Sequence, residues 1–196
     1  MEVEVEKEIK YIINQQFIEN VYLNNIFNPE LKLLNIHGYG KHLITYYDFG
    51  TELYDKGNTF RLTYRKDRNR GTYKVNNGKE DGMRMCTEYH FPFTKDVNPH
   101  KKFITNLEGL PGTGLPFLER VCWVLVHRVK ATLNNIPVEI DTCSIMTNNI
   151  RAKYFEIEVE DVTPPKEWVD KLKIFGSMEE SKKNKYQTVY DLIYGY

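Results

Sequence analysis

The sequence predicts an α+β fold, mainly antiparallel β, in which strands close into a barrel and helices pack on the outside. Three observations predict it. Segments of roughly strand length alternate polar and apolar residues at period two. The stretches between several of them, DKGN, DRNRG and NNGKEDG, are turn chemistry. The polar faces of seven strands are charged together, where a solvated face would include Ser, Asn and Gln more freely. A barrel with a charged lumen and a helix-covered outer wall satisfies both faces at once.

The elements follow in order. Residues 2–13 alternate strictly, with Val3, Val5, Ile9, Tyr11 and Ile13 on one face and Glu2, Glu4, Glu6, Glu8 and Lys10 on the other. Residues 14–27 place Phe17, Ile18, Val21, Tyr22 and Ile26 near helical spacing, which predicts an amphipathic helix. Strands are expected over 41–48, 58–66, 71–76 and 83–92. The stretch 94–118 differs: TKDVNPHKKF opens a short helix and GLPGTGLP reads as a loop. Strands 120–132 and 136–142 are joined by LNNIP, and another runs from 152 to 160. Pro164 and Pro165 start a helix through about Phe175. A Lys-rich linker then leads to a final helical segment, 186–195, with Tyr186, Tyr190 and Tyr194 as a docking stripe.

At 196 residues, without an internal repeat or a Gly/Ser linker, one domain over 1–196 is expected. The composition, 41% apolar and 28% charged, is that of a soluble globular protein. No apolar run approaches the roughly 18 residues of a transmembrane helix, and MEVEVEKEIK has no apolar core of a secretory signal. Lys and Arg total 27, as do Asp and Glu, so bulk charge favours neither double-stranded nucleic acid nor a membrane surface. Three cysteines without metal-ligand spacing predict a reducing, cytoplasmic setting. The five histidines are dispersed, which argues against zinc, and the glycines of 109–116 lack the lysine of a P-loop.

The charged faces carry the functional expectation. At period two they present Glu6, Glu8 and Lys10; Arg61, Thr63 and Arg65; Thr72 and Lys74; Arg84, Cys86, Glu88 and His90; Arg128 and Lys130; Glu139 and Asp141; and Glu156, Glu158 and Glu160. Burying so many charges without a ligand is unfavourable, so the lumen is expected to be wet or occupied. Clustered carboxylates suit Mg²⁺ or Mn²⁺, and Arg and Lys suit phosphate oxygens. Both together predict a metal-bound polyphosphate.

The same residues resemble a known family. Glu6-Lys7-Glu8-Ile9-Lys10 is similar to the ExExK signature of the CYTH domains, or triphosphate tunnel metalloenzymes. Tyr46-Tyr47-Asp48 with Leu53, Gly57 and Phe60-Arg61 resembles the family's YxDT…L…G…LRxR segment. Thr72-Tyr73-Lys74 resembles its TxK strand, Arg84 to Glu88 its RxExE strand, and Arg128-Val129-Lys130 its KxR pair. Val138 to Asp141 and Phe155 to Val159 resemble its late LD and EIEV strands. ExExK alone is a weak motif; the order and spacing over nearly the whole chain make the match specific. There are departures. Phe49 replaces the usual Thr, and Thr63 stands where a second Arg is expected, which makes Arg65, two residues on and on the same face, a candidate substitute. Cys86 or His90 takes an acid position, depending on register.

The resemblance implies an eight-stranded antiparallel tunnel holding a triphosphate and one or two divalent metals, Mg²⁺ or Mn²⁺. It implies metal coordination by Glu6, Glu8, Glu156, Glu158 and Asp141, with Glu139 secondary. Phosphates would be held by Lys10, Arg61, Arg65, Lys74, Arg84, Arg128 and Lys130. Glu6, Glu8, Lys10 and Glu158 are the candidate catalytic residues. The expected function is a divalent-metal-dependent hydrolase of a triphosphate such as tripolyphosphate, thiamine triphosphate or a nucleoside triphosphate. The alternatives are a class IV adenylyl cyclase and a non-catalytic binder of phosphorylated nucleotides. The partner expected is a small triphosphate, with the chain a monomer or homodimer. Lys182, Lys183 or Lys185 is a candidate to cover the tunnel mouth.

Overall fold

A computed structural model of the chain describes residues 2–31, 33–66, 69–92 and 118–195. Eight antiparallel strands form the barrel: β1 (Glu2–Ile13), β2 (Leu34–Asp48), β3 (Thr59–Tyr64), β4 (Arg70–Glu80), β5 (Met83–Pro92), β6 (Glu119–Leu133), β7 (Ile136–Met146) and β8 (Arg151–Glu160). Their order is β5-β4-β3-β2-β6-β7-β8-β1, and pairing of β1 with β5 closes the ring. β1 makes the closure by changing partners. Glu2 to Glu8 pair with β5, and Glu8 to Ile13 pair with β8. Where β5 leaves, a short β9 (Met178–Ser181) takes over the edge of β1.

Two of the hairpins turn as their sequences dictate. Asn134 and Asn135 connect β6 to β7 with φ of 45° and 68°, and Asp81-Gly82 connect β4 to β5 with φ of 51° and 81°. Two positive φ values match the right-handed twist of paired strands, which is why Asn, Asp and Gly fill these positions.

Among the described residues, four helices pack on the barrel: α1 (Gln15–Phe27), α2 (Glu52–Lys56), α3 (Lys166–Leu172) and α4 (Lys185–Tyr194). α1 starts where Asn14 accepts a hydrogen bond from Phe17 N at 2.9 Å. Phe17 and Val21 of α1, with Trp168 and Leu172 of α3, pack on Ile9, Tyr11, Ile13, Ile157 and Val159, the outward residues of β1 and β8. Gly176 lies so close to this junction that a Cβ there would sit 2.5 Å from Asn14 Oδ1. No described helix is long and apolar enough to cross a membrane.

Several expectations need correction. β2 starts at Leu34 rather than 41, because the segment through Gly38 and Gly40 also pairs with β6, with a bulge between Ile36 and Gly38. β4 runs on to Glu80 through a bulge after Asn76, so NNGKEDG is mostly strand. β7 extends to Met146. α2 and β9 were not anticipated; β9 lies at the start of the segment read as a Lys-rich linker. The helix after Pro165 ends at Leu172 and finishes in a 3₁₀ turn, Lys173–Phe175. The helix and loop expected over 94–118 fall almost wholly outside the described residues, as does His100.

Asp48 fastens the end of the barrel to its helices. Its carboxylate, 1% exposed, accepts from Phe49 N (2.7 Å), Leu53 N (2.8 Å), Tyr54 N (3.1 Å) and Tyr186 Oη (2.6 Å). Asp48→Ala strands these buried donors, so chemical denaturation is expected to show a loss of about 3 kcal/mol or more. A loss below about 1 kcal/mol would contradict this role.

Candidate active site: a charged cavity in the barrel

Strand parity divides the lumen into two halves. Inward positions of β6 run Cys122, Val124, Val126 and then Arg128 and Lys130. Those of β7 run Ile145, Cys143 and then Asp141 and Glu139. The apolar half joins Ile44, Tyr46 and Tyr154 with Tyr186, Val189 and Tyr190 of α4 in one core. The tyrosine stripe docks as expected at Tyr186 and Tyr190, whereas Tyr194 is half exposed. Tyr186 stacks on Tyr46 at 5.3 Å between ring centroids.

The charged half holds a cavity of about 320 Å³ lined by acidic and basic side chains in equal number. Of the residues implied by the motifs, Glu6, Glu8, Lys10, Arg61, Arg65, Lys74, Arg128, Lys130 and Glu158 line it. Arg65 is exposed and Lys130 is mostly so, which places both at the rim. Asp141, Glu156 and Arg84 do not line the cavity. Arg84 is committed elsewhere, donating to Gly57 O at 2.8 Å and Glu8 at 3.2 Å.

The ion pairs form a continuous network. Lys74 meets Glu6, Glu8 (3.4 Å) and Glu88 (3.2 Å). Lys10 meets Glu158 and Glu8 (3.2 Å). Arg128 forks onto Asp141 at 2.8 and 2.6 Å, reaches Glu158 at 2.7 Å and also pairs with Glu139. Lys130 holds Glu139 from the rim at 2.8 Å. Burial would push Glu158 towards its neutral form, but Lys10, Lys185 and Arg128 outweigh it and hold the carboxyl well below its usual range.

Burial likewise opposes the charge on Glu88, and Arg61 and Lys74 overcome it, leaving the carboxyl at about 2. Since the folded value lies below the ordinary 4.5, the stabilisation is present above that pH and is lost as pH falls towards 2. Acid titration of wild type is therefore expected to show a loss of stability over that window, and Glu88→Gln should make that loss smaller by the share of Glu88. An unchanged acid profile in Glu88→Gln would count against the pairing.

Several cavity residues were missed. His42, one turn of the pleat from Ile44, faces the lumen, and burial with Arg128 nearby lowers it to about 3, so it is a neutral imidazole. Arg70, Glu4 and Asp161 also line the wall, as does Glu160, which was placed on the charged face but given no role. Lys185 is the largest revision. It was a candidate for the mouth, but it is 4% exposed and sits inside, against Asp141, Glu156 (2.7 Å) and Glu158 (3.4 Å). Lys183 pairs with Asp191 on the surface, and Lys182 is exposed.

The donor set fits a hard divalent cation at the cavity wall. Glu139, Glu158 and Glu160 bring carboxylate oxygens within 4.8 Å of one another, an all-oxygen set. Burial first, and then the neighbouring carboxylates of Glu139, Glu6 and Glu158, push Glu160 up to about 7. Glu6 and Glu8 also converge, together with the Cys86 thiol, which burial keeps protonated.

No protein-family model matches the chain, and no curated protein sequence matches it. Solved structures do. A candidate adenylate cyclase from Bacillus halodurans superposes with a TM-score of 0.61 at 15% identity, over 97% of this chain and 100% of that one. A candidate adenylyl cyclase from Hippeastrum, described as having a dominant triphosphatase activity, gives 0.58 at 14% identity, over 94% of each chain. A protein from Pyrococcus horikoshii gives 0.51 at 16% identity, over 95% of this chain and 98% of that one. The likeness shows the fold: the chain has the closed barrel of the CYTH-type proteins.

Proposed function

We propose that this barrel binds a triphosphate together with a divalent cation, Mg²⁺ or Mn²⁺, and hydrolyses it. One observation carries the reading: the cavity's cations and carboxylates already neutralise one another. A polyanion arriving alone would take Lys10, Lys74 and Arg128 from Glu6, Glu8 and Glu158 and strand those carboxylates. A bare cation would bind more weakly, because the ammonium and guanidinium groups would compete with it for the same carboxylates. A polyanion arriving with a divalent cation offers each set a new partner, so neither is left uncompensated.

In this reading Lys10, Arg61, Lys74 and Arg128 hold phosphate oxygens along the wall, with Arg65 and Lys130 at the rim. Arg84, tied to Gly57 and Glu8, positions Glu8. Glu6, Glu8 and Glu158, with Glu139 and Glu160, face the cavity as cation ligands. A bound divalent cation would supply charge neutralisation and activate water. Hydrolysis asks the chain mainly for positioning and electrostatic complementarity, which this wall provides. The triphosphatase activity stated for the Hippeastrum neighbour supports hydrolysis over cyclisation.

The test is incubation with tripolyphosphate, thiamine triphosphate and ATP, each with Mg²⁺ or Mn²⁺, followed by product identification. Orthophosphate release is the expected result. Cyclic AMP with pyrophosphate would replace this reading with the cyclase, and tight binding without any product would replace it with the binder.

A further inference from the structure

We infer that Lys185 is a built-in cation: it occupies the place of a metal at Asp141 and Glu156, so those two acids are counter-ions to a lysine, and divalent metal is confined to the carboxylates that face the cavity. The inference rests on the proposed function for the metal itself, and on the following geometry for its placement.

Asp141, Cys143 and Glu156 converge within 4.8 Å and on composition alone would pass for a metal group. The space between the acids is already used. The ammonium of Lys185 pairs with Asp141, lies 2.7 Å from Glu156 and 3.4 Å from Glu158. Asp141 gives both oxygens to the Arg128 fork as well. Glu156 is fully buried and accepts no hydrogen bond among the described residues, so Lys185 is its close counter-charge. A divalent ion here would meet an ammonium and a guanidinium within contact distance, and the repulsion would oppose entry.

Lys185 is also fixed. It is the first residue of α4, whose Asn184 and Gln187 form a reciprocal capping box. Asn184 donates to Gly57 O at 2.8 Å, Gln187 to Tyr54 O at 2.9 Å and Tyr186 to Asp48 at 2.6 Å. The ammonium is 4% exposed and is enclosed by three carboxylates, those of Asp141, Glu156 and Glu158, which stabilise its charge. The helix that seals the apolar end of the barrel therefore also delivers a permanent positive charge to the cavity floor.

The test uses metal without any phosphate, so it is separate from turnover. Lys185→Met leaves Asp141 and Glu156 short of a cation. Its melting temperature is expected to fall below wild type in chelator and to recover with Mn²⁺ by more than wild type gains. Equal Mn²⁺ shifts in the two proteins would overturn the inference. Should Lys185→Met not fold, Glu156→Gln in the otherwise native chain decides. Titration calorimetry with Mn²⁺ should then give an affinity within about twofold of wild type, because Glu156 is not a ligand. A weakening of about tenfold or more, the scale of a lost metal-site partner, would show that it is one. Failure of the proposed function is read separately, from the absence of product in the triphosphate assay.

Discussion

Arg128→Ala is expected to weaken both the fold and triphosphate binding. The guanidinium is the shared counter-ion of Asp141, Glu158 and Glu139, and Asp141 is fully buried. Removing one partner of a buried ion pair destabilises by about 3–5 kcal/mol, because the charge left behind stays desolvated. Lys185 still faces Asp141 and Glu158, which sets the expectation towards the lower end of that range. Arg128→Lys should recover only part, since an ammonium cannot reproduce the two-pronged contact at 2.8 and 2.6 Å. In the folded fraction, loss of a phosphate contact made before and during reaction should raise KM beside any fall in kcat. Denaturation curves within about 1 kcal/mol of wild type, with an unchanged KM, would remove Arg128 from the centre of the network.

The second large effect separates two glutamates of one motif. A wet lumen would let Glu6→Gln and Glu8→Gln fold equally well. The structure gives them different surroundings. Glu6 is partly exposed and pairs with Lys74, whereas Glu8 is 2% exposed and is shared by Lys10, Lys74 and Arg84. Glu6→Gln should keep its melting temperature and lose turnover by orders of magnitude through loss of a cation ligand. Glu8→Gln should lose turnover and also stability, by a few kcal/mol, as three buried cations give up a common partner. Full turnover in both variants with Mg²⁺ and Mn²⁺ would show that this strand does not hold the metal; equal stability would show that the lumen screens its charges as water does.

What was legible in the sequence was what strand parity exposes. Alternation in residues 2–13 gave β1 its boundaries, and the charged parity of β3, β4, β6 and β8 put Arg61, Lys74, Arg128 and Glu158 on the cavity wall. Parity failed where both faces are apolar. Nothing in Cys122, Val124 and Val126 distinguishes an inward residue from one under a helix, so the apolar half of the lumen was invisible. It failed at His42 for a related reason: the residue lies within the strand expected over 41–48, but its same-face neighbours Ile44 and Tyr46 are apolar, so no charged face marked it as inward. β9 is four residues long and owes its existence to the edge of β1 left free by β5, a tertiary cause with no local signal. Lys185 lay in a Lys-rich run whose members differ only in where the Asn184 cap starts the helix. That cap places Lys185 inside, while Lys183 and Lys182 remain outside.

The central claim is a site of triphosphate length whose charges are exchanged with a metal-bound polyanion. The most direct measurement is calorimetric titration of the wild-type protein with tripolyphosphate and with orthophosphate, each in the presence and absence of Mn²⁺. The account predicts one tripolyphosphate per chain, bound far more tightly than orthophosphate and more tightly with Mn²⁺ than without. Equal affinities for the two anions, or tripolyphosphate binding that Mn²⁺ leaves unchanged, would contradict it.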